Sequence, residues 1–278
     1  MSLTETRPPT TTGRHRPRTG QVALVLGASS GMGRAVARRL ASEGAGVVGV
    51  HFDTAARADE IAELVGELEG HEVPVRFVNA NAAAEATRSD VVREVRELTD
   101  GRGVDVVLHS LAFGTLLPYL PDGSDGPVLA PRQMTMTLEV MAHSLVWWVR
   151  DLLTAGLLPP GSHVLAMTSA GDSRVAASYG AVSAAKSALL AHVRQLAVEL
   201  APHDVSVNAL RAGVTLTPSL QRIPESERLR EIAVAANPHH RLTTPEDVAE
   251  AVALLTATRS AWLTGNVVAV DGGEGLTT

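Results

Sequence analysis

Short apolar runs alternate with longer stretches of helical period along most of this chain. Gln21 to Leu26 is apolar and short enough to be a buried strand, and 46–52, 73–79, 104–109, 162–168, 205–210 and 266–270 read the same way. Between them, 34–40, 55–69, 84–99, 132–155, 178–201 and 245–257 space their apolar residues as helices do. This alternation predicts a single α/β domain: a doubly wound, mainly parallel sheet with right-handed crossovers and helices on both faces, three layers in all. In such sheets ligands gather at the carboxyl ends of the strands. Gly27, Ser110, Ser169 and Gly213 each follow a predicted strand, so residues scattered in sequence are expected to converge on one crevice.

Two segments break the pattern. Residues 1–19 are polar, basic and proline-containing, with no apolar centre, and are expected to form a disordered tail rather than a signal peptide. Residues 214–241 are punctuated by Thr217-Pro218, Ile223-Pro224 and Asn237-Pro238, with a short helix expected over 225–236. Directly after it, Thr244-Pro245-Glu246-Asp247 is a helix start with a cap and an N1 proline.

Composition narrows the picture. The 278 residues, 45% apolar and 19% charged, suffice for one sizeable core, so 20–278 is expected to be a single domain. There is no cysteine, which excludes disulfides, thiolate metal sites and cysteine nucleophiles. A net charge of −6 argues against general nucleic-acid binding, and no apolar stretch approaches the roughly 20 residues of a membrane span. A cytoplasmic protein is expected. The histidines, His239 and His240 included, lack metal-ligand spacing, and no metal is expected.

Two motifs carry chemistry. Gly27-Ala28-Ser29-Ser30-Gly31-Met32-Gly33 joins the first strand to the first helix, an arrangement in which glycine backbone approaches a pyrophosphate and the helix N-terminus stabilises its charge. Downstream, Tyr179 precedes Lys186 by seven residues on what reads as one helix. At about 100° per residue, both side chains return to one face, about 10 Å apart along the axis. Position 182, four before the lysine, would share that face but holds Val182.

With these landmarks the chain resembles the short-chain dehydrogenase/reductase family over nearly all of residues 20–276. Asn79-Ala80-Asn81, Asn208 to Gly213 and Val270-Asp271-Gly272-Gly273 match as well. Within the family the Y-x6-K spacing is similar to the enoyl-acyl-carrier-protein reductase branch, whereas ketoreductases show Y-x3-K. Leu108 to Phe113 stands where ketoreductases carry Asn-Asn-Ala-Gly, and Met141 falls where their proton relay has an asparagine; a thioether makes no strong hydrogen bond. Ser169 departs from that branch: it sits where ketoreductases hold their catalytic serine and many enoyl reductases a second tyrosine.

The resemblance implies a Rossmann-type fold and an NAD(P)H-dependent reductase acting on the C2–C3 double bond of a 2-enoyl thioester, with Tyr179, Lys186 and Ser169 as catalytic residues. It implies cofactor contacts from Gly27, Ser29, Gly31, Met32, Gly33, His51, Asp53, Asn81, Ser110, Leu111, Ala112, Lys186, Gly213, Thr215 and Thr217. Asn81, Thr215 and Thr217 read equally as turn or loop formers. NADH and NADPH both remain open, with the balance toward NADH because Asp53 near the end of the second strand would accept the ribose 2′-OH and repel a 2′-phosphate. His51 stands at the position the family usually fills with an acid. Residues 214–241 match the substrate loop, and Arg222, Arg228, Arg230 and Arg241 there either meet an acyl carrier protein or coenzyme A or belong to a solvated mixed-charge surface. Trp147 and Trp148 point about 100° apart, one inward and one toward the surface. A homotetramer is expected from the family. A ketone or imine reductase using Ser169, and a non-catalytic cofactor-binding redox sensor, are the alternatives.

Overall fold

A computed structural model describes residues 18–121, 123, 126–223 and 226–277. Seven strands, β1 Val22–Leu26, β2 Gly46–His51, β3 Val75–Asn79, β4 Val106–His109, β5 His163–Ser169, β6 Ser206–Ala212 and β7 Val267–Val270, form one sheet in the order β3-β2-β1-β4-β5-β6-β7, every pair parallel. The five inner strands are covered on both faces, which is why their sequences read as near-continuous apolar runs rather than alternating ones, while the edge strands β3 and β7 are only partly covered. In β1, Val22, Leu24 and Leu26 enter one core while Ala23 and Val25 enter the other.

The first face is covered by α3 (Glu85–Leu98), α5 (Ser144–Thr154) and α6 (Gly180–Leu200), and the second by α1 (Gly31–Ser42), α2 (Ala58–Glu69) and α9 (Pro245–Leu255). Chain order reverses between β1 and β4, so the strand ends open a crevice there. Short helices α7 (Pro218–Gln221) and α8 (Ser226–Ala236) occupy the segment read as punctuated loop. Thr217 Oγ1 accepts the Leu220 N–H at 3.2 Å, and Thr244 and Asp247 exchange the two bonds of a capping box at the start of α9.

Three local expectations need correcting. The stretch 132–155 is not one regular helix: α4 (Pro131–Leu138) passes through a π-turn, Glu139–His143, before α5. The Ser144 hydroxyl, bonded to Val140 O at 2.8 Å, helps satisfy the backbone there. The polar tail otherwise falls on 1–17, outside the described residues, but Arg18, assigned to it, is buried. Its guanidinium donates to Ala253 O at 2.6 Å and Thr256 O at 3.0 Å, carbonyls at the C-terminus of α9, and pairs with Glu43. Finally, Tyr179 stands one residue outside α6, as its N-cap at φ −93°, ψ 1°, after Ser178 in the left-handed region at φ 58°. Its carbonyl still accepts the first helical bond, from Ser183 N at 2.9 Å.

Among the described residues no helix is long and apolar enough to cross a membrane. Trp148 is fully buried with Nε1 donating to Ala82 O at 2.8 Å, while Trp147 reaches Glu139 at 3.1 Å and carries the Arg150 guanidinium over its ring.

Candidate active site

The glycine turn is shaped by what has no room. A Cβ on Gly33 would lie 2.1 Å from Gly27 O, and one on Gly27, which adopts φ +90°, would lie 2.5 Å from Ser110 O. These glycines therefore let β1, β4 and the start of α1 close on one another without side chains. Ser30 caps α1 without a side-chain bond, and the first turn carries no acid, so the helix N-terminus keeps its partial positive charge and its N–H groups for an anion. From the opposite rim, Thr217 Cγ2 comes within 3.3 Å of where a Gly31 Cβ would stand. The glycine turn and the N-terminus of α1 thus face Thr217 across the crevice.

At the end of β2 a charged cluster forms. Asp53 takes His51 Nδ1 at 3.0 Å on one oxygen and Arg57 on the other, and Arg57 donates on to Ser29 O at 3.2 Å and to Glu60 at 2.9 and 3.0 Å. Arg34 also pairs with Glu60, at 2.6 Å. Burial pushes the Asp53 carboxyl up, but hydrogen bonds from Ser29 and His51 together with the Arg57 charge outweigh it and leave the group below the usual aspartate value. Both guanidiniums at this corner are matched by carboxylates.

Other expected contacts are occupied differently. Asn81 Oδ1 accepts the Ala83 N–H at 3.0 Å in the turn leading to α3. Thr215 donates to Gly213 O at 2.9 Å, and Thr217 caps α7. Gly213 is enclosed: its Cβ would meet Thr243 Oγ1 at 2.5 Å and Glu274 Oε2 at 2.8 Å. Ser110 continues from β4, with N–H to Leu26 O at 2.9 Å, and Leu111 packs on the first core beside it while Ala112 is exposed; Met32 packs on the second core.

The Tyr179 ring lies against the 3-10 turn Ala170–Asp172, where a Cβ on Gly171 would be 2.5 Å from Cε1. Burial pushes its phenol up, and the neighbouring Ser169 hydroxyl pulls it part of the way back. No bond of ordinary length joins the two, since Ser169 Oγ is a buried polar atom without a partner. An oxygen of a substrate placed between them would satisfy both. Val182 is buried, its Cγ2 2.7 Å from where a Gly114 Cβ would stand, with Met141 at the same spot.

Lys186 is buried, 6% exposed, with Nζ donating to Met167 O at 2.7 Å. Burial pulls its ammonium down to about 8, and Asp172 pushes back. It is the only lysine in the chain, every other cationic side chain except histidine being arginine. That compositional signal marks the site without any motif. Beyond it lies His109, fully buried, with Nε2 2.8 Å from Ser144 Oγ. Because that hydroxyl donates to Val140 O, Nε2 carries the proton and Nδ1 is left without a partner. Burial, and then the Lys186 charge, hold the imidazole neutral, its value lowered to about 3.

One further residue escaped the sequence pattern. Tyr119, the only other tyrosine, comes from the long connection after β4 and lies over the start of α6, its Cζ 2.5 Å and Oη 2.8 Å from where a Gly180 Cβ would stand. Only the absence of a side chain at position 180 admits it. Among the described residues no group of three histidine, aspartate or glutamate side chains is arranged to hold a metal ion.

Comparison with known proteins places these features in context. A family model described as enoyl-(acyl carrier protein) reductase matches residues 27–274. A cis-4-hydroxycyclohexanecarboxylate dehydrogenase from Sinomonas cyclohexanicum is 32% identical, over 91% of this chain and 96% of its own. Among solved structures, the enoyl-[acyl-carrier-protein] reductase (NADH) from Aquifex aeolicus superposes with a TM-score of 0.77 at 23% identity, covering 93% of this chain and 98% of that one. A 3-oxoacyl-[acyl-carrier protein] reductase from Brucella melitensis in complex with NAD gives 0.79 at 22%, with the same coverage. At those identities the two structures speak to the fold alone.

Proposed function

This chain belongs to the short-chain dehydrogenase/reductase family of NAD(P)H-dependent oxidoreductases, and from that premise we propose that it reduces the C2–C3 double bond of a 2-enoyl thioester, carried on coenzyme A or an acyl carrier protein. The observation that carries this reading is the displaced acid. Position 182 is a buried valine facing Gly114 and Met141, so the phenol available to a substrate is that of Tyr179, seven residues before Lys186 and at the helix cap.

The reduced nicotinamide supplies hydride when bound. As charge builds on the thioester oxygen, Tyr179 Oη hydrogen-bonds or protonates it, and the Ser169 hydroxyl, which has no partner of its own, donates to the same oxygen. Lys186, anchored at Met167 O, contributes an ammonium that lowers the cost of charge on the phenolic oxygen and presents N–H donors to ribose hydroxyls. The glycine turn and the N-terminus of α1 hold the pyrophosphate. Residues 214–241 act as the substrate loop, and the assembly we propose is a homotetramer.

A second reading, ketone or imine reduction, is favoured by the same Ser169–Tyr179 neighbourhood, which would hold a carbonyl oxygen equally well. Oxidation of NADH or NADPH by the purified protein, with crotonyl thioester and with its 3-keto analogue, separates the two. Turnover of the enoyl compound alone supports the proposal; turnover of the keto compound alone replaces it with the second reading.

For the cofactor we propose NADH. A 2′-phosphate would bring negative charge to a corner where Arg57 and Arg34 are already engaged by Asp53 and Glu60. Asp53→Asn removes one carboxylate from the corner and releases one of the bonds of Arg57, which Glu60 and Ser29 O still hold. The ratio of kcat/KM for NADPH over NADH is expected to rise about tenfold or more, the worth of a charged hydrogen bond. An unchanged ratio would place discrimination elsewhere.

A further inference from the structure

We propose that Asp172 is a positioning residue for this reaction: its buried carboxylate, clamped by Arg211 and Thr168 on the turn that Tyr179 packs against, is the counter-charge of the Lys186 ammonium. The inference rests on the Tyr179/Lys186 reading above and goes beyond it, since Asp172 belongs to no motif noted in the sequence and Arg211, within the Asn208 to Gly213 match, has no role assigned there.

The side chain of Asp172 is 1% exposed. One oxygen accepts from Thr168 Oγ1 at 3.0 Å and Arg211 Nε at 3.1 Å, the other from Arg211 Nη2 at 2.9 Å. These bonds tie the end of β5 to its neighbour β6, where Thr168 and Arg211 stand in register. On its other side the same turn touches the catalytic helix twice. Gly171 lies under the Tyr179 ring, and the Asp172 carbonyl accepts the hydroxyl of Ser187, the residue after Lys186, at 3.1 Å. The carboxylate is thereby fixed in the neighbourhood of the chain's one lysine: Thr168, which holds it, directly follows Met167, whose carbonyl holds Lys186 Nζ.

Stability does not account for this arrangement. Burying the carboxylate carries a desolvation cost, and apolar replacements of buried ion pairs are often neutral or better. Electrostatics near Lys186 does account for it. The titratable groups that act on that ammonium are His109 at the end of β4, held neutral by burial, and Asp172, whose carboxylate is also paired with Arg211. Burial drives Lys186 toward the neutral amine, and Asp172 is what opposes it. Because the lysine value is depressed, the ammonium is present below about pH 8 and lost above it, so removing Asp172 moves that loss to lower pH.

The single lysine makes this directly measurable: protein grown with lysine labelled at ¹⁵Nζ shows one side-chain signal, which can be titrated without cofactor. In Asp172→Asn the proton affinity of Lys186 is expected to fall at least about tenfold, and the alkaline limb of kcat to move with it, while KM for the thioester stays within about twofold. Asp172→Asn with Arg211→Met removes the stranded guanidinium and protects folding, and its Lys186 titration is expected to remain displaced. An unchanged titration in the variants that fold, or full recovery of the wild-type profile in the double variant, would make the pair purely structural and overturn the proposal. The ¹⁵N result does not depend on the reaction assigned, so failure of that assignment would appear separately, as the absence of enoyl turnover in the wild-type protein.

Discussion

Tyr179→Phe is expected to lower kcat with the enoyl thioester by about 10²- to 10⁴-fold, the usual worth of a positioned proton donor, while NADH affinity changes little. The substitution keeps the ring that packs over Gly171 and removes only Oη. Among the described residues no side-chain bond of ordinary length depends on that oxygen, so the fold loses little. Of the neighbouring side chains, Val182 has no hydroxyl, and Tyr119 lies over Gly180. Cofactor titration by fluorescence beside steady-state kinetics reads the two effects independently. A variant that retains turnover would remove Tyr179 from the chemistry and direct attention to Ser169.

Lys186→Met should separate activity from stability. The ammonium is held in a buried site at a value of about 8 against the ordinary 10.5, a destabilisation of about 3 kcal/mol that is complete below pH 8 and relieved as pH rises toward 10.5. Methionine fills a similar volume without the charge. It leaves Met167 O without its donor, at about 1–3 kcal/mol, so the two contributions nearly offset. Melting at pH 7 is therefore expected to stay level or rise, with the variant losing ground to wild type above pH 8 as the wild-type penalty is relieved, while kcat falls about 100-fold or more. A large drop in Tm would show that the lysine serves the fold, and undiminished turnover would remove it from the mechanism.

Tyr179 and Lys186 are legible in the sequence because their relation is local. A spacing of seven from the N-cap into α6 is set within one stretch of chain, and the glycine turn is likewise contained between one strand and the helix that follows. The strands are legible because a parallel sheet buried on both faces demands unbroken apolar runs, so β1, β2 and β5 fall close to their expected bounds. Trp147 and Trp148 divide as helical geometry requires, one into the core and one beside Glu139 and Arg150.

What the sequence determined by itself is thus the alternating α/β plan, the order of its elements, the glycine turn after β1, and the spacing of Tyr179 and Lys186, all encoded at short range by hydrophobic period and spacing. Only the tertiary structure decided the rest. Arg18 closes the end of α9 across more than 230 residues of chain, Tyr119 lies over Gly180, Thr217 meets Gly31 across the crevice, and Arg211 reaches Asp172 from the next strand. Ser178 takes a left-handed conformation that sets Tyr179 at the cap instead of within the helix. None of these contacts has a period. Each exists because packing fixes two distant backbones at a separation that one particular side chain spans, or that one missing Cβ permits, and that separation is a property of the folded sheet and its layers rather than of any local run of residues.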